Sequence, residues 1–125
     1  MKDLLGVGHV VRATGHSLDG IREAFRNGCA FRQELALGLV QFVVLPFFQE
    51  SLWVKVGLVA LWVLLLSAEL LNTGVEAVVD LASPGWNELA KRAKDCCSAA
   101  VSLIVTLLAF VWLIVIVRQL KLLCP

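Results

Sequence analysis

Residues 99–117 read AAVSLIVTLLAFVWLIVIV, an uncharged apolar run closed by Arg118. A helix needs about 20 predominantly apolar residues to cross a bilayer's hydrocarbon core. This run meets that length alone. In lipid, only helices and closed barrels satisfy every backbone N–H and C=O, so the run restricts the fold to membrane architectures. Two shorter runs accompany it: LALGLVQFVVLPFF at 35–48, with Phe31 just before it, and VGLVALWVLLLSA at 56–68, extended backward by Leu52, Trp53 and Val54. They reach spanning length when their polar ends (Arg32, Glu34, Glu50, Trp53 and Lys55) sit at the interface.

Composition points the same way. The chain is 59% hydrophobic and 17% charged, against about 45–50% apolar and about 25% charged in soluble domains. Its net charge of +1 and the lack of a basic run give no footing for nucleic acid. At 125 residues it suits a single domain. The expected fold class is an all-α membrane protein, with a surface helix over about 3–27 and spans over about 31–48, 52–72 and 97–118.

Basic residues orient the spans. Lys2, Arg12, Arg22, Arg26 and Arg32 precede the first run; Lys91, Arg92 and Lys94 lie between the second and third. Lys55, Arg118 and Lys121 fall on the opposite side. The positive-inside rule then puts the N-terminus and the 80–95 region in the cytoplasm. In 3–30, Leu4, Leu5, Val7, Val10, Val11, Leu18, Ile21 and Phe25 alternate with charged residues. The pattern predicts an amphipathic helix on the membrane surface, interrupted near Gly15–Ser17 and Gly20. Asn27-Gly28 reads as a turn into the membrane, with a positive φ open to Gly28. Gln49-Glu50-Ser51 reads as a tight turn after Pro46, and Ser83-Pro84-Gly85 as a break, with Pro84 suited to an early position of the next helix. Cys29, Cys96, Cys97 and Cys124 form no C-x-x-C and have no histidine at metal-ligand spacing, so packing thiols are expected rather than a zinc site. The start, MKDLLGVGHVVRATGH, is too broken by charge for a signal-peptide core.

The stretch LLLSAELLNTGVEAVVDLA, 64–82, starts as membrane-grade hydrophobe and then takes on Glu69, Asn72, Glu76 and Asp80. At about 100° per residue these fall within a sector of roughly 60°. Lys91, Asp95, Ser98 and Ser102 make a second stripe, with Lys94 beside it. Carboxylates are expensive in a membrane and face each other, a cavity or a ligand. One reading is a polar seam in which the acidic residues of one helix pair with lysines of the next. The other is a site for a divalent cation and phosphates, since Mg2+ is typically held by one or two carboxylates plus substrate phosphates, while a further carboxylate takes a proton from an alcohol. Neither a Walker-type nor a Gly-rich kinase loop is present.

The segments AFRQE (30–34), AELLNTGVEAVVD (68–80) and AKDCCSAAV (93–101) resemble the signature segments of the prokaryotic diacylglycerol kinase family. The resemblance runs from about Gly6 to Val117 with the spacing between segments preserved, and CAFRQE is closer to the proteobacterial diacylglycerol branch than to the undecaprenol kinases. It implies a homotrimer of three-span subunits in the bacterial inner membrane, with composite active sites on the cytoplasmic side. The implied reaction transfers the γ-phosphoryl group of ATP, with Mg2+, to diacylglycerol, giving phosphatidic acid for phospholipid metabolism. Another lipid alcohol such as undecaprenol, or a silent protein of the same fold, are the alternatives. By position, the resemblance makes Glu69 the general base, Asn72 its orienting neighbour and Glu76 the metal ligand. It puts His9, His16, Gly28, Glu76, Asp80, Gly85, Trp86, Asn87, Lys94 and Asp95 at the ATP site. Ala13, Gly15, Ser17, Arg22, Ala30, Phe31, Arg32, Gln33, Glu34, Glu69, Ser98 and Trp112 fall at the lipid site. The chain departs from the family pattern at Gly28, where a metal-sharing glutamate is usual, and at His9, His16, Gly85, Asn87 and Cys97.

Overall fold

The computed structural model describes residues 7–123. Lys2, Leu4, Leu5, Gly6 and Cys124, which entered the expectations above, lie outside that range. Four helices follow one another: α1 (Val7–Asn27), α2 (Cys29–Val44), α3 (Leu52–Ala82) and α4 (Glu88–Leu123), with a 3-10 turn at Leu45–Phe47 after α2. There is no strand among the described residues. Three helical stretches, Cys29–Phe47, Leu52–Ala82 and Glu88–Leu123, are long and apolar enough to cross a membrane. The fold is therefore all-α and of membrane type.

The amphipathic stripe does form α1, but the expected interruption at Gly15–Ser17 and Gly20 is absent; the helix runs through both. Thr14 Oγ1 donates to the Val10 carbonyl at 2.9 Å and Ser17 Oγ to the Ala13 carbonyl at 3.0 Å. These back-bonds keep the hydroxyls on the helix, and an isolated glycine weakens a helix by about 1 kcal/mol without ending it. The apolar face of α1, with Val10, Val11, Leu18, Ile21 and Phe25, is exposed, and among its residues of described burial only Ala24 near its end is buried.

The α1–α2 junction is a single residue. Gly28 N–H donates to the Ala24 carbonyl at 2.8 Å. Its φ and ψ are −88° and 108°, ordinary extended backbone, so the positive φ entertained for Gly28 is not used. Glycine permits a close approach in this chain: a β-carbon added to this backbone would lie 2.6 Å from the Ala24 carbonyl oxygen and 3.3 Å from Phe31 Cβ, so a larger residue here requires the junction to shift. Arg32 Nη1 completes the junction, donating to the carbonyls of Phe25 at 3.1 Å and Arg26 at 2.9 Å. Carbonyls in the last turn of a helix lack intrahelical partners, and this guanidinium supplies them to α1.

Pro46 lies in the 3-10 turn that ends the α2 stretch. Ser51 then caps α3, its Oγ accepting from Val54 N–H at 3.4 Å. At this turn Glu50, with its side chain 4% exposed, pairs with Arg118 of α4 at 3.3 Å, and Gln49 N–H donates to Gln119 Oε1 at 3.0 Å. Leu45, Leu58 and Val115 form the buried core nearby, with Phe48 and Trp112 packed on it. At a rise of 1.5 Å per residue, α3 and α4 are about 46 and 54 Å long. In each, the apolar segment and the polar stripe belong to one unbroken helix. The connection between them differs from expectation in one respect. Pro84 lies in the loop, and Asn87 opens α4 instead, its Oδ1 accepting from Leu89 N–H at 2.9 Å and Ala90 N–H at 3.1 Å. Asparagine is a preferred N-cap because it satisfies donors that the first turn leaves free.

Candidate active site

The stripe on α3 and the serines on α4 face one another because both repeat at three- and four-residue spacing. Together with the start of α2 they enclose a cavity of about 570 Å³. Glu34, Glu69, Asn72, Glu76, Asp80 and Ser98 line it, with Gly28 and Ala30 at the α1–α2 junction. Glu69 is buried, at 6% exposure. Asn72 Oδ1 and Glu34 Oε2 are buried without a hydrogen-bond partner. A buried polar atom left unmatched costs about 1–3 kcal/mol, so both are available to a ligand.

The charges are unbalanced. Glu69 and Glu76 make no ion pair among the described residues, whereas Lys94 Nζ pairs with Asp80 Oδ1 at 2.5 Å. Lys91 pairs with Asp95 along its own helix. The seam reading thus accounts for Asp80 and Lys94 only; the deeper acids face the cavity unmatched. Asp80 and Lys94 also line a second, smaller cavity of about 400 Å³ built on the α3–α4 loop, with Gly85, Trp86, Asn87 and Asp95. Glu69 and Asn72 therefore lie deep, while Asp80, Lys94 and Asp95 lie at the loop end of the stripe. The described residues contain no group of three His, Cys, Asp or Glu side chains placed to hold a metal. The donors present fit Mg2+ in its commoner form, held by one or two carboxylates and completed by phosphate oxygens and water.

A third cavity, about 510 Å³ and mostly apolar, runs between α2, α3 and α4. Gln33 and Trp112 line it, and Ala30 and Glu34 belong to both it and the carboxylate cavity. Phe31, at 3% exposure, packs into the interior and lines none of the three cavities. His9, Ala13, Gly15, His16, Ser17 and Arg22 lie along α1 and line none either; Arg22 instead pairs with Asp19 at 2.9 Å. A single chain leaves these α1 members of the expected ligand set outside the cavities. Three residues that the sequence reading passed over stand out in the apolar cavity: Gly38, Gln41 and Trp62. Gln41, a lone amide in the run LALGLVQFVVLPFF, carried the signal, since polar groups inside a membrane segment seek partners.

The fold and site are those of a helical membrane protein in which a buried carboxylate, Glu69, lies between an apolar groove and a lysine-bearing loop, with room for a lipid on one side and a polar ligand on the other. Comparison with known proteins makes this specific. Residues 15–116 match the family described as prokaryotic diacylglycerol kinase, and the chain belongs to that family. A diacylglycerol kinase of Haemophilus influenzae is 39% identical over 108 residues, covering 86% of this chain and 91% of the relative. Those of Escherichia coli and Pseudomonas aeruginosa are 34% and 37% identical over 111 residues, each covering 89% of this chain and 91% and 90% of the relative.

Proposed function

We propose that this chain is an ATP-dependent lipid kinase of the bacterial inner membrane that phosphorylates diacylglycerol to phosphatidic acid. The observation that carries the reading is the meeting of the two cavities at Ala30 and Glu34. An amphiphile with its tails in the groove presents its headgroup hydroxyl to Glu69 and Asn72. A phosphate chain entering past the α3–α4 loop meets Lys94 and Glu76.

In the proposed step the hydroxyl oxygen of the lipid bonds to the γ-phosphorus as the bond from that phosphorus to the β–γ bridging oxygen breaks, and ADP leaves. Glu69 takes the hydroxyl proton; its burial keeps competing water away from the carboxylate. Asn72 Oδ1, buried and unpartnered, accepts a hydrogen bond from the substrate and fixes its orientation. Lys94 offsets phosphate charge at the mouth, and Asp80 holds its ammonium in place. Glu76 would hold Mg2+, which when bound with ATP neutralises the phosphate oxygens. Phosphoryl transfer depends on such positioning and neutralisation more than on covalent help.

The cytoplasmic side carries the loop and the active site in this reading, following the positive-inside rule. The functional unit is a homotrimer. Its neighbouring chains offer a place for the exposed apolar faces of α3 and α4, and a second chain can bring α1 residues such as His9, His16, Ser17 and Arg22 to a site that one chain leaves open. Incubating the protein with γ-labelled ATP, Mg2+ and diacylglycerol in mixed micelles tests the reading. Label is expected in phosphatidic acid; label appearing only in undecaprenyl phosphate with that alcohol supplied would move the acceptor assignment.

A further inference from the structure

Gly38 is one turn beyond Glu34 on α2, and the Trp62 indole of α3 lies directly against it. A β-carbon at Gly38 would fall inside the Trp62 indole. The ring is fixed on two further sides. Its Nε1–H donates to the Glu34 carbonyl at 2.9 Å, and Phe42 meets it edge-on, with ring centres 5.4 Å apart. One turn further from the acids, Gln41 is 5% exposed. Its Oε1 accepts from Trp112 Nε1–H at 2.9 Å and its Nε2 donates to the Leu58 carbonyl at 3.3 Å. An unpaired amide in an apolar setting is costly; this one is matched at both ends and ties α2 to α3 and α4. Phe48 braces Trp112 edge-on, at 5.4 Å between ring centres.

All four residues, Gly38, Gln41, Trp62 and Trp112, line the apolar groove that opens from Glu34. From Ala30 to Val44 the groove follows α2 for about 21 Å, most of the roughly 30 Å hydrocarbon thickness. That is the dimension of an acyl tail, and the groove's upper end is the wall of the acid cavity. We propose that this groove takes one acyl tail of the acceptor lipid, and that Trp62 on Gly38, with the Gln41–Trp112 bridge beyond it, sets the tail's permitted width and length. The inference rests on the lipid-kinase reading and adds its acyl specificity. Trp62 sets the side wall. Gly38 lets the indole lie back against α2 and out of the groove. The Gln41–Trp112 bridge forms the groove's wall toward its far end and ties three helices together there.

Two variants pull in opposite directions. Trp62→Leu widens the groove, and Gly38→Ala drives the indole into it. The readout is the ratio of kcat/KM for dioleoylglycerol to that for dioctanoylglycerol in identical mixed micelles. Small changes of fit in an apolar pocket are worth about 10- to 200-fold in discrimination. Trp62→Leu is therefore expected to raise the ratio roughly tenfold, and Gly38→Ala to lower it, with KM for ATP unchanged in both. A loss of packing alone would move both variants the same way for both lipids. Ratios within twofold of the parent in both variants, or equal shifts in KM for ATP, overturn the proposal.

A second measurement does not need turnover. A diacylglycerol carrying a diazirine in one tail is expected to label the segments around Gly38 and Trp62, and unlabelled diacylglycerol to displace it. Displacement by diacylglycerol in a protein that phosphorylates no lipid would sustain the groove and defeat the kinase reading. Equal displacement by bulk phospholipid, or labelling confined to other segments in an active protein, would defeat the groove.

Discussion

The α1–α2 junction offers the sharpest structural prediction. A β-carbon at Gly28 would sit 2.6 Å from the Ala24 carbonyl oxygen. Ordinary contact begins near 3.4 Å, so backbone must move by about 0.8 Å. The atom in the way is the acceptor of the Gly28 N–H bond that closes α1, so the movement also strains that bond. Overpacking typically costs about 1–3 kcal/mol, and a weakened backbone bond about 0.5–1.5 kcal/mol. Gly28→Ala is therefore expected to lower stability by about 1–3 kcal/mol, read as earlier thermal or denaturant unfolding in detergent. Gly28→Glu carries the same strain but adds a carboxylate to the wall of the acid cavity. In the fraction that remains folded, half-saturation by Mg2+ should fall and kcat/KM for Mg·ATP should rise. Measuring both variants separates backbone strain from ligand gain. A Gly28→Ala protein as stable as the parent would refute the close-approach argument. A folded Gly28→Glu protein with no gain at low Mg2+ would show that the metal is held without that position.

Three further outcomes follow from the site. Glu69→Gln keeps the shape of the buried side chain and should trimerise normally, but lose about 10²- to 10⁴-fold in kcat, the usual worth of a general base; a loss under about fivefold, as seen by initial rates, removes Glu69 from that role. Lys94→Ala should raise KM for ATP more than KM for lipid, while Lys91→Ala, whose ammonium serves Asp95 on its own helix, should change KM for ATP far less; the reverse order in steady-state kinetics would misplace the phosphate entrance. Gln41→Leu breaks the bridge at both ends, leaves the Trp112 N–H unpaired, and should destabilise the fold by about 1–2 kcal/mol, given membrane hydrogen bonds averaging about 0.6 and reaching about 1.7; a melting curve matching the parent's would show the bridge to be idle.

Much of this was legible in the sequence because lipid leaves few choices. The uncharged run at 99–117 dictates a spanning helix, and the spacing of Glu69, Asn72, Glu76 and Asp80 dictates a shared face. The structure brings those four together with Glu34 and Ser98, as the stripes suggest. Other features depend on how close two backbones come, which residue patterns report poorly. Nothing in Asn27-Gly28 distinguishes a left-handed turn from an extended residue pressed against a carbonyl. Likewise Gly38 reads as a small residue in an apolar run until Trp62, 24 positions on, is laid against it. Gly15–Ser17 and Gly20 read as breakers because composition does not show that the Ser17 hydroxyl bonds back to the Ala13 carbonyl or that the helix tolerates isolated glycines. The pairing of Lys94 rather than Lys91 with Asp80 is a matter of helix rotation, which both spacings allow.

On the proposed reading, the carboxylates of α3, with Glu69 buried among them, serve phosphoryl transfer to a membrane lipid. The most direct measurement follows γ-labelled phosphate from ATP into lipid, with purified parent and Glu69→Gln proteins side by side in diacylglycerol mixed micelles at saturating Mg2+. The account predicts label in phosphatidic acid from the parent, dependent on Mg2+, and little from the variant. No labelled lipid from a folded, trimeric parent, or equal labelling by the two proteins, would contradict it.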